Sequence, residues 1–346
     1  MNLKNKLKWL IIVITSIHAI IMLKNYSEDK LTRIQETGND SAKDVYSEMP
    51  EENSEEDEGN EDMKANREFF REREKVYSER RKRLKSVCDQ LGDTVSYGSL
   101  ASVPHGRLRW LMSHKLIMCF IPKVGTSTWT QYLLEAEFPG LLKNVSNWHG
   151  TAQKFLGPPD RIISRKTLAL MRKYGKAMIV RHPFTRIVSA YFDKVVSKSY
   201  PKLRRYVIDR YRPRNSSLTS KHPSFEEFVQ FLVEFTPIDD DIRVKKANRT
   251  DRHWLPYYVN CAPCDIHYDV IATLESAKED TRYLLRKYQL GQPEGVRRNH
   301  HNISTELTAL TLFKNLPRNL TLALHQRYRV DFLMFGYNVT DYLASS

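Results

Sequence analysis

Pro122-Lys123-Val124-Gly125-Thr126-Ser127-Thr128 places one cation, one glycine and three hydroxyls close together. That set suits a phosphate or a sulfate. The ammonium brings mobile charge, the hydroxyls donate without bulk, and the glycine lets backbone approach the ligand. The lysine precedes the only glycine, so this is not the Walker pattern of an NTP-hydrolysing loop. The plain alternative is a turn whose Thr126 or Ser127 caps a helix. A second group is Arg181-His182-Pro183, with Ser189 following. A guanidinium can donate two parallel hydrogen bonds to a phosphate; the plain alternative is an arginine paired with a nearby carboxylate. A third group is Asp251-Arg252-His253-Trp254. An imidazole titrates near working pH, and the adjoining indole could stack on a sugar ring. His253 is therefore the first candidate for a general base and Glu275 the second. His149, His182, His300 and His301 stay open. The alternative for His253 is structural packing beside Trp254.

The elements around these groups set their geometry. Leu116–Ile121 is an apolar run short enough for one buried strand. Trp129, Tyr132, Leu133, Ala136 and Phe138 follow at helical spacing. Ala177–Val180 predicts a second strand, and Ile187, Val188, Ala190, Tyr191 and Val195 a second helix. Strand, turn, helix, repeated, predicts an α/β fold with a central parallel sheet. Ligands of such sheets gather at the carboxyl ends of the strands, where helix N-termini favour anions. Lys123 and Arg181 both stand at such ends. Two cationic strand ends suit a ligand with two separated phosphate-like groups.

Other segments complete the scaffold. Ser224-Phe225-Glu226-Glu227 is a capping box that starts a helix. Tyr268–Leu274 reads as a strand, 305–316 and 319–330 as helices, and Asp331–Tyr337 as a late strand. Residues 197–222 and Gly295–Ser304 read as basic surface loops. Each is either a solvated surface or a grip on an anionic glycan. There is no internal repeat.

The first 85 residues differ in composition. Residues 1–8 carry three lysines, and Trp9–Leu23 is an apolar run. Basic residues before the run keep the N-terminus cytosolic, and no small-residue cleavage site follows it. A single signal anchor over 9–23 is expected, its shortness suiting the thinner bilayers of the early secretory pathway. Residues 24–85 read as a luminal stem. Up to residue 62 it holds four Lys/Arg against fourteen Asp/Glu, too charged to bury a core. Residues 63–86 predict an exposed charged helix. The folded domain is expected over 86–346. The whole chain is +14, so residues 63–346 carry +21 once the tail's three positive and the stem's ten negative charges are set aside. A domain so basic implies acidic partners, and a membrane anchor argues against nucleic acid. Asn25, Asn39, Asn144, Asn215, Asn248, Asn302, Asn319 and Asn338 lie in N-x-S/T sequons, as suits a luminal glycoprotein. Cys88, Cys119, Cys261 and Cys264 allow two disulfides in three pairings. The Cys261–Cys264 spacing also suits half a zinc site, but too few other cysteines exist to complete one.

PKVGTSTW followed by RHPFTRIVSAYFDK resembles the 5′- and 3′-phosphosulfate-binding signatures of the Golgi carbohydrate sulfotransferases. PSFEEFVQFLVE, DRHWLPYYVNCAPCDIHYDVIATLES and VDFLMFGYNVTDYL resemble, within them, the group that sulfates the 4-position of N-acetylgalactosamine in chondroitin and dermatan. The resemblance runs from about residue 110 to the C-terminus. That group more often carries Ala-Cys-Thr-Asn where this chain has Gly125-Thr126-Ser127-Thr128. The resemblance implies a P-loop-like sulfotransferase fold behind one transmembrane helix and a disordered stem, as a single-pass type II Golgi membrane protein. It implies 3′-phosphoadenosine 5′-phosphosulfate as donor, a glycosaminoglycan or other glycan as acceptor, and no metal. Pro122, Lys123, Val124, Gly125, Thr126, Ser127 and Thr128 would hold the 5′-phosphosulfate. Arg181 and Ser189 would hold the 3′-phosphate, with His182, Pro183, Phe184, Thr185, Arg186, Ile187 and Val188 shaping the adenosine site. Lys123 would stabilise charge on the bridging oxygen, with His253 or Glu275 as the base. The other readings are sulfation of another hexose, a luminal kinase using ATP and a metal, and a non-catalytic glycan binder.

Overall fold

The computed structural model describes residues 59–160, 163–197, 199–214, 216, 219–235, 251–291 and 305–343. Residues 1–58, which hold the expected tail and anchor and most of the expected acidic stem, fall outside them. So do five sequon asparagines (Asn25, Asn39, Asn215, Asn248 and Asn302), the basic loop at 295–304, His300 and His301.

Four short strands form one sheet, β1 (Leu108–Leu111), β2 (Leu116–Cys119), β3 (Gly175–Val180) and β4 (Val270–Thr273), in that spatial order. β2, β3 and β4 are parallel and β1 is antiparallel to β2. Leu108 faces Cys119, Cys119 faces Met178 and Val180 faces Thr273. The start of β1 and the carboxyl ends of the other three strands therefore share one edge. β1 and β2 are buried along their whole length, as a strand covered on both faces requires.

The helices are α1 (Gly59–Leu91), α2 (Thr126–Glu137), α3 (Trp148–Phe155), α4 (Arg165–Lys173), α5 (Pro183–Ala190) and α6 (Pro201–Tyr211). Then come α7 (Phe225–Phe235), α8 (Tyr257–Cys261), α9 (Pro263–Ile266), α10 (Ala277–Lys287), α11 (Thr305–Lys314) and α12 (Arg318–Phe335). The capping box forms as expected. Ser224 Oγ accepts the Glu227 N–H at 3.1 Å and Glu227 Oε2 accepts the Ser224 N–H at 2.7 Å.

Three expectations are corrected. The segment 331–337 is no strand: residues 331–335 end α12, which left-handed Gly336 closes. Its continuous apolar letters fit either period, and attachment to the preceding helix decides. The basic segment 197–222 contains α6, which starts on Pro201 and buries Val207. The charged segment 63–86 belongs to α1, but α1 is no free stem: Tyr77, Leu84 and Val87 are buried in the core.

Two disulfides and one carboxylate hold α1 and the sheet. Cys88 pairs with Cys264, and Cys119 at the end of β2 pairs with Cys261. Both thiols of the Cys-Ala-Pro-Cys turn are thus consumed, leaving none for zinc. Asp280 is buried and accepts from Tyr77 Oη at 2.6 Å, Arg80 Nη1 at 3.1 Å, the Thr273 N–H at 2.7 Å, Ser276 Oγ at 2.7 Å and Arg73. Removing one partner of a buried ion network leaves the others uncompensated. Asp280→Ala is expected to lose about 3–5 kcal/mol, read as a lower urea midpoint with α1 released first. Burial raises the Asp280 carboxyl pKa, but its hydrogen bonds outweigh that and hold it below the ordinary value. Its contribution is thus present at neutral pH and lost as pH falls through the folded-state value.

Candidate active site

A cleft of about 730 Å³ opens along the shared strand edge. Six of the seven residues from Pro122 to Thr128 line it, together with Arg181, Ser189 and His253. Three separate sequence groups therefore converge.

The first wall follows from the β2–α2 turn. Lys123 and Gly125 are both left-handed, with φ of 74° and 83°. A lysine in that region is strained, and it persists because Val124 between them is buried in the core. A side chain at Gly125 would be strained at that φ, although its Cβ would meet Leu274 only at an ordinary contact distance of 3.5 Å. α2 starts at Gly125 with no side-chain cap. Thr126 Oγ1 instead donates back to the Ile121 carbonyl, so the capping alternative does not hold. The first N–H groups of α2 and its positive dipole end are left for an anion. Ser127 Oγ lies 3.1 Å from His149 Nε2, and Thr130 Oγ1 3.3 Å from its Nδ1.

The second wall is the β3–α5 junction. The buried Tyr257 hydroxyl accepts the Arg181 N–H at 2.9 Å and donates to the Arg181 carbonyl at 2.8 Å. This fixes the strand end from which the guanidinium projects. Burial lowers the Arg181 pKa, and the nearby Tyr257 and Glu275 offset part of it. Pro183–Val188 are buried, and Ser189 is the one position of α5 that is only half-buried, on the cleft side.

Several predicted ligand residues turn inward instead. His182 caps α5 through Nδ1, which accepts the Phe184 N–H at 3.2 Å, and its Nε2 lies 2.9 Å from the Asn338 carbonyl. Arg186 is fully buried. Its Nε donates to the Pro122 carbonyl at 3.3 Å, and its Nη2 to the Arg252 and Leu255 carbonyls at 3.2 and 2.8 Å. It braces the first wall against the third without lining the cleft. Glu275 is exposed but is not a cleft wall. It accepts the His182 N–H at 2.7 Å and the Tyr337 hydroxyl at 3.0 Å.

The third wall holds His253. Its Nδ1 is 2.5 Å from Asp251 Oδ1, which also accepts the His253 N–H at 2.8 Å. That bond assigns the proton to Nδ1 and leaves Nε2 as the acceptor. Burial lowers the His253 pKa; Asp251 pulls it up, and Lys194 and Arg252 push it further down. Burial raises Asp251, but bonds from His253 and Tyr200 outweigh that and bring it to about 2. Trp254 is buried against Phe228, Phe231 and Tyr200. It packs in the core, so stacking of this indole on a sugar is ruled out.

The sequence assigned no role to Arg107, Arg109, Asp193, Lys194 or Arg252, although Arg252 lies in the third group and Asp193 and Lys194 close the second signature; all five line the cleft. Arg107 and Arg109 arrive because antiparallel β1 begins at the ligand edge. Arg109 is buried, with its Nη1 on the Gly106 and Leu108 carbonyls at 3.1 and 3.0 Å. Burial, with Arg107 and Arg252 close by, pushes its pKa down to about 10. Among the described lining residues six are Arg or Lys, and Asp193 is the only acid. Its Oδ2 is 3.1 Å from Lys123 Nζ and 3.3 Å from Lys194 Nζ. Cations crowded at low dielectric repel strongly, so the cleft is built for a multiply charged anion.

The sulfotransferase family matches residues 108–338. The chain is similar to carbohydrate sulfotransferase 14 of Danio rerio, 29% identical over 275 residues that cover 75% of this chain and 70% of the relative. It is 29% identical to carbohydrate sulfotransferase 11 of Rattus norvegicus over 248 residues, 66% of each chain. With carbohydrate sulfotransferase 9 of Homo sapiens it shares 26% over 285 residues, 78% of this chain and 61% of the relative. The chain thus spans about two thirds of the length of these relatives. No solved structure matches.

Proposed function

The chain belongs to the sulfotransferase family, in its carbohydrate-sulfating branch, and on that premise we propose that it transfers a sulfuryl group from 3′-phosphoadenosine 5′-phosphosulfate to a sugar hydroxyl. The observation that carries this reading is the meeting in one cleft of an uncapped helix start beside Lys123 with Arg181 and Ser189. The turn from Pro122 to Thr128 takes the phosphosulfate, and Arg181 with Ser189 takes the 3′-phosphate. His253 Nε2 receives the proton of the attacking hydroxyl. A new sulfur–oxygen bond forms to the sugar as the bond to the donor's phosphate breaks. The electron pair leaves on that phosphate, where Lys123 and the α2 N-terminus stabilise it. Catalysis of this kind rests on positioning and charge stabilisation.

The acceptor we favour is the 4-position of N-acetylgalactosamine in chondroitin or dermatan, on the strength of the motifs from Pro223 to Leu343. An acidic polymer suits Arg107, Arg109 and Arg252 in the cleft and the exposed Lys202, Arg205 and Arg210 on α6. We place the enzyme in the Golgi membrane through residues 9–23. No helix among the described residues is long and apolar enough to cross a membrane. Adenosine 3′,5′-bisphosphate titrated into the protein is expected to give saturable heat, competed by the sulfate donor but not by ATP. Radiolabelled donor with a panel of desulfated glycans then identifies the acceptor and the modified carbon. Absence of heat with the bisphosphate overturns the reading.

A further inference from the structure

We propose that Asp193 is a positioning residue that gathers the ammonium groups of Lys123 and Lys194 at one point of the cleft, so that both cations act on the sulfuryl end of the donor. This rests on the reading above and deepens it by giving the reaction a second lysine.

Three observations carry it. The first is the contact itself. One carboxylate oxygen, Asp193 Oδ2, lies 3.1 Å from Lys123 and 3.3 Å from Lys194. The two lysines come from different elements, and among the described residues they share no other carboxylate. A single oxygen that receives two ammonium groups marks where they converge.

The second is backbone geometry. Tyr191–Val196, which continues α5, is a π-turn, closed where the Ser197 N–H reaches the Phe192 carbonyl at 3.1 Å. Such turns are rare and concentrate at functional sites. In i→i+5 geometry, residues four and five along come round to the same side. Asp193 and Lys194 stand four and five residues after Ser189, and all three line the cleft. A continuous α-helix would carry Lys194 away from that side. The turn therefore delivers the anion and the second cation together.

The third is cost. Among the described lining residues Asp193 is the only acid, against six Arg and Lys. Burial would raise its pKa, but Lys123 and Lys194 outweigh that and keep it lowered. It is thus an anion in an anion-binding cleft, which weakens donor binding. A residue that opposes binding must act elsewhere, and its contacts show where: on the placement of two lysines.

The test follows from that opposition. Asp193→Asn should lower kcat roughly tenfold through lost orientation, while the dissociation constant for adenosine 3′,5′-bisphosphate stays level or tightens. A merely structural residue would weaken both. Lys194→Ala should lower kcat by a comparable factor, and Asp193→Glu should recover part of the loss. In a Lys123→Ala, Lys194→Ala background, Asp193→Asn should change kcat less than about twofold, because coupled residues are not additive. A tenfold further fall there assigns Asp193 a role independent of the lysines and overturns the inference. Equal losses of kcat and bisphosphate affinity in the single variant overturn it as well. If the wild type transfers sulfate and Asp193→Asn matches it, this inference alone fails. If the wild type shows no donor-dependent transfer, the functional reading fails and takes the inference with it.

Discussion

Lys123→Ala is expected to lower kcat by about 10²–10³-fold, the usual consequence of removing one preorganised group that meets developing charge. The lysine holds a strained left-handed backbone at the end of β2, and its ammonium sits in the cleft 3.1 Å from Asp193. The donor's other anchors remain in the variant: the uncapped start of α2, Arg181 and Ser189. Affinity for adenosine 3′,5′-bisphosphate should therefore fall by less than about tenfold, since those anchors still hold both of its phosphates, whereas only the reacting donor has the sulfuryl bridge at which Lys123 meets developing charge. Arg181→Ala should divide its effect the other way, with most of the loss in donor affinity. Single-turnover transfer of labelled sulfate, set beside calorimetry with the bisphosphate, separates the two. A Lys123→Ala enzyme that turns over within threefold of wild type removes this lysine from the mechanism.

His253→Ala should cost about 10²–10⁴-fold in kcat, the range of one general base, with bisphosphate binding nearly intact. The geometry also gives a pH signature. His253 acts as a base only when neutral, so activity falls as pH drops through its pKa. Burial places that pKa below the ordinary value of 6.5, so the acid limb lies below 6.5. Asp251 pulls the imidazole pKa up. Asp251→Asn should therefore move the limb to lower pH while lowering the plateau, because the hydrogen bond that fixes the tautomer is lost. A limb unchanged in Asp251→Asn and absent from neither variant would assign the proton to another group.

What could be read in advance was whatever lies locally in the chain. Lys123 and Arg181 sit where apolar runs break into helical spacing, and the sheet places both at one edge. The capping box at Ser224 needs only four residues in sequence and forms as read. The residues that escaped depend on non-local or irregular geometry. Arg109 enters the cleft because β1 runs antiparallel to β2, and a four-residue strand gives no direction in its letters. Asp193 and Lys194 follow a helical pattern whose π-turn leaves no mark in apolar spacing. Trp254 misled because a tryptophan next to a candidate base reads the same whether it faces a sugar or a core. Its burial against Phe228 and Phe231 is set by α7, far away in the chain.

The Cys-Ala-Pro-Cys turn bears on how this protein has to be made. Its two crosslinks close loops of 176 and 142 residues, and chain-entropy arguments give a loop of that size about 5 kcal/mol each. One tethers α1 and the other β2, directly ahead of the turn that carries Lys123. A host that keeps thiols reduced forfeits both, so a preparation from a reducing cytosol begins with its catalytic edge unriveted. Expression routed through an oxidising compartment is a requirement for an active sample, not a convenience.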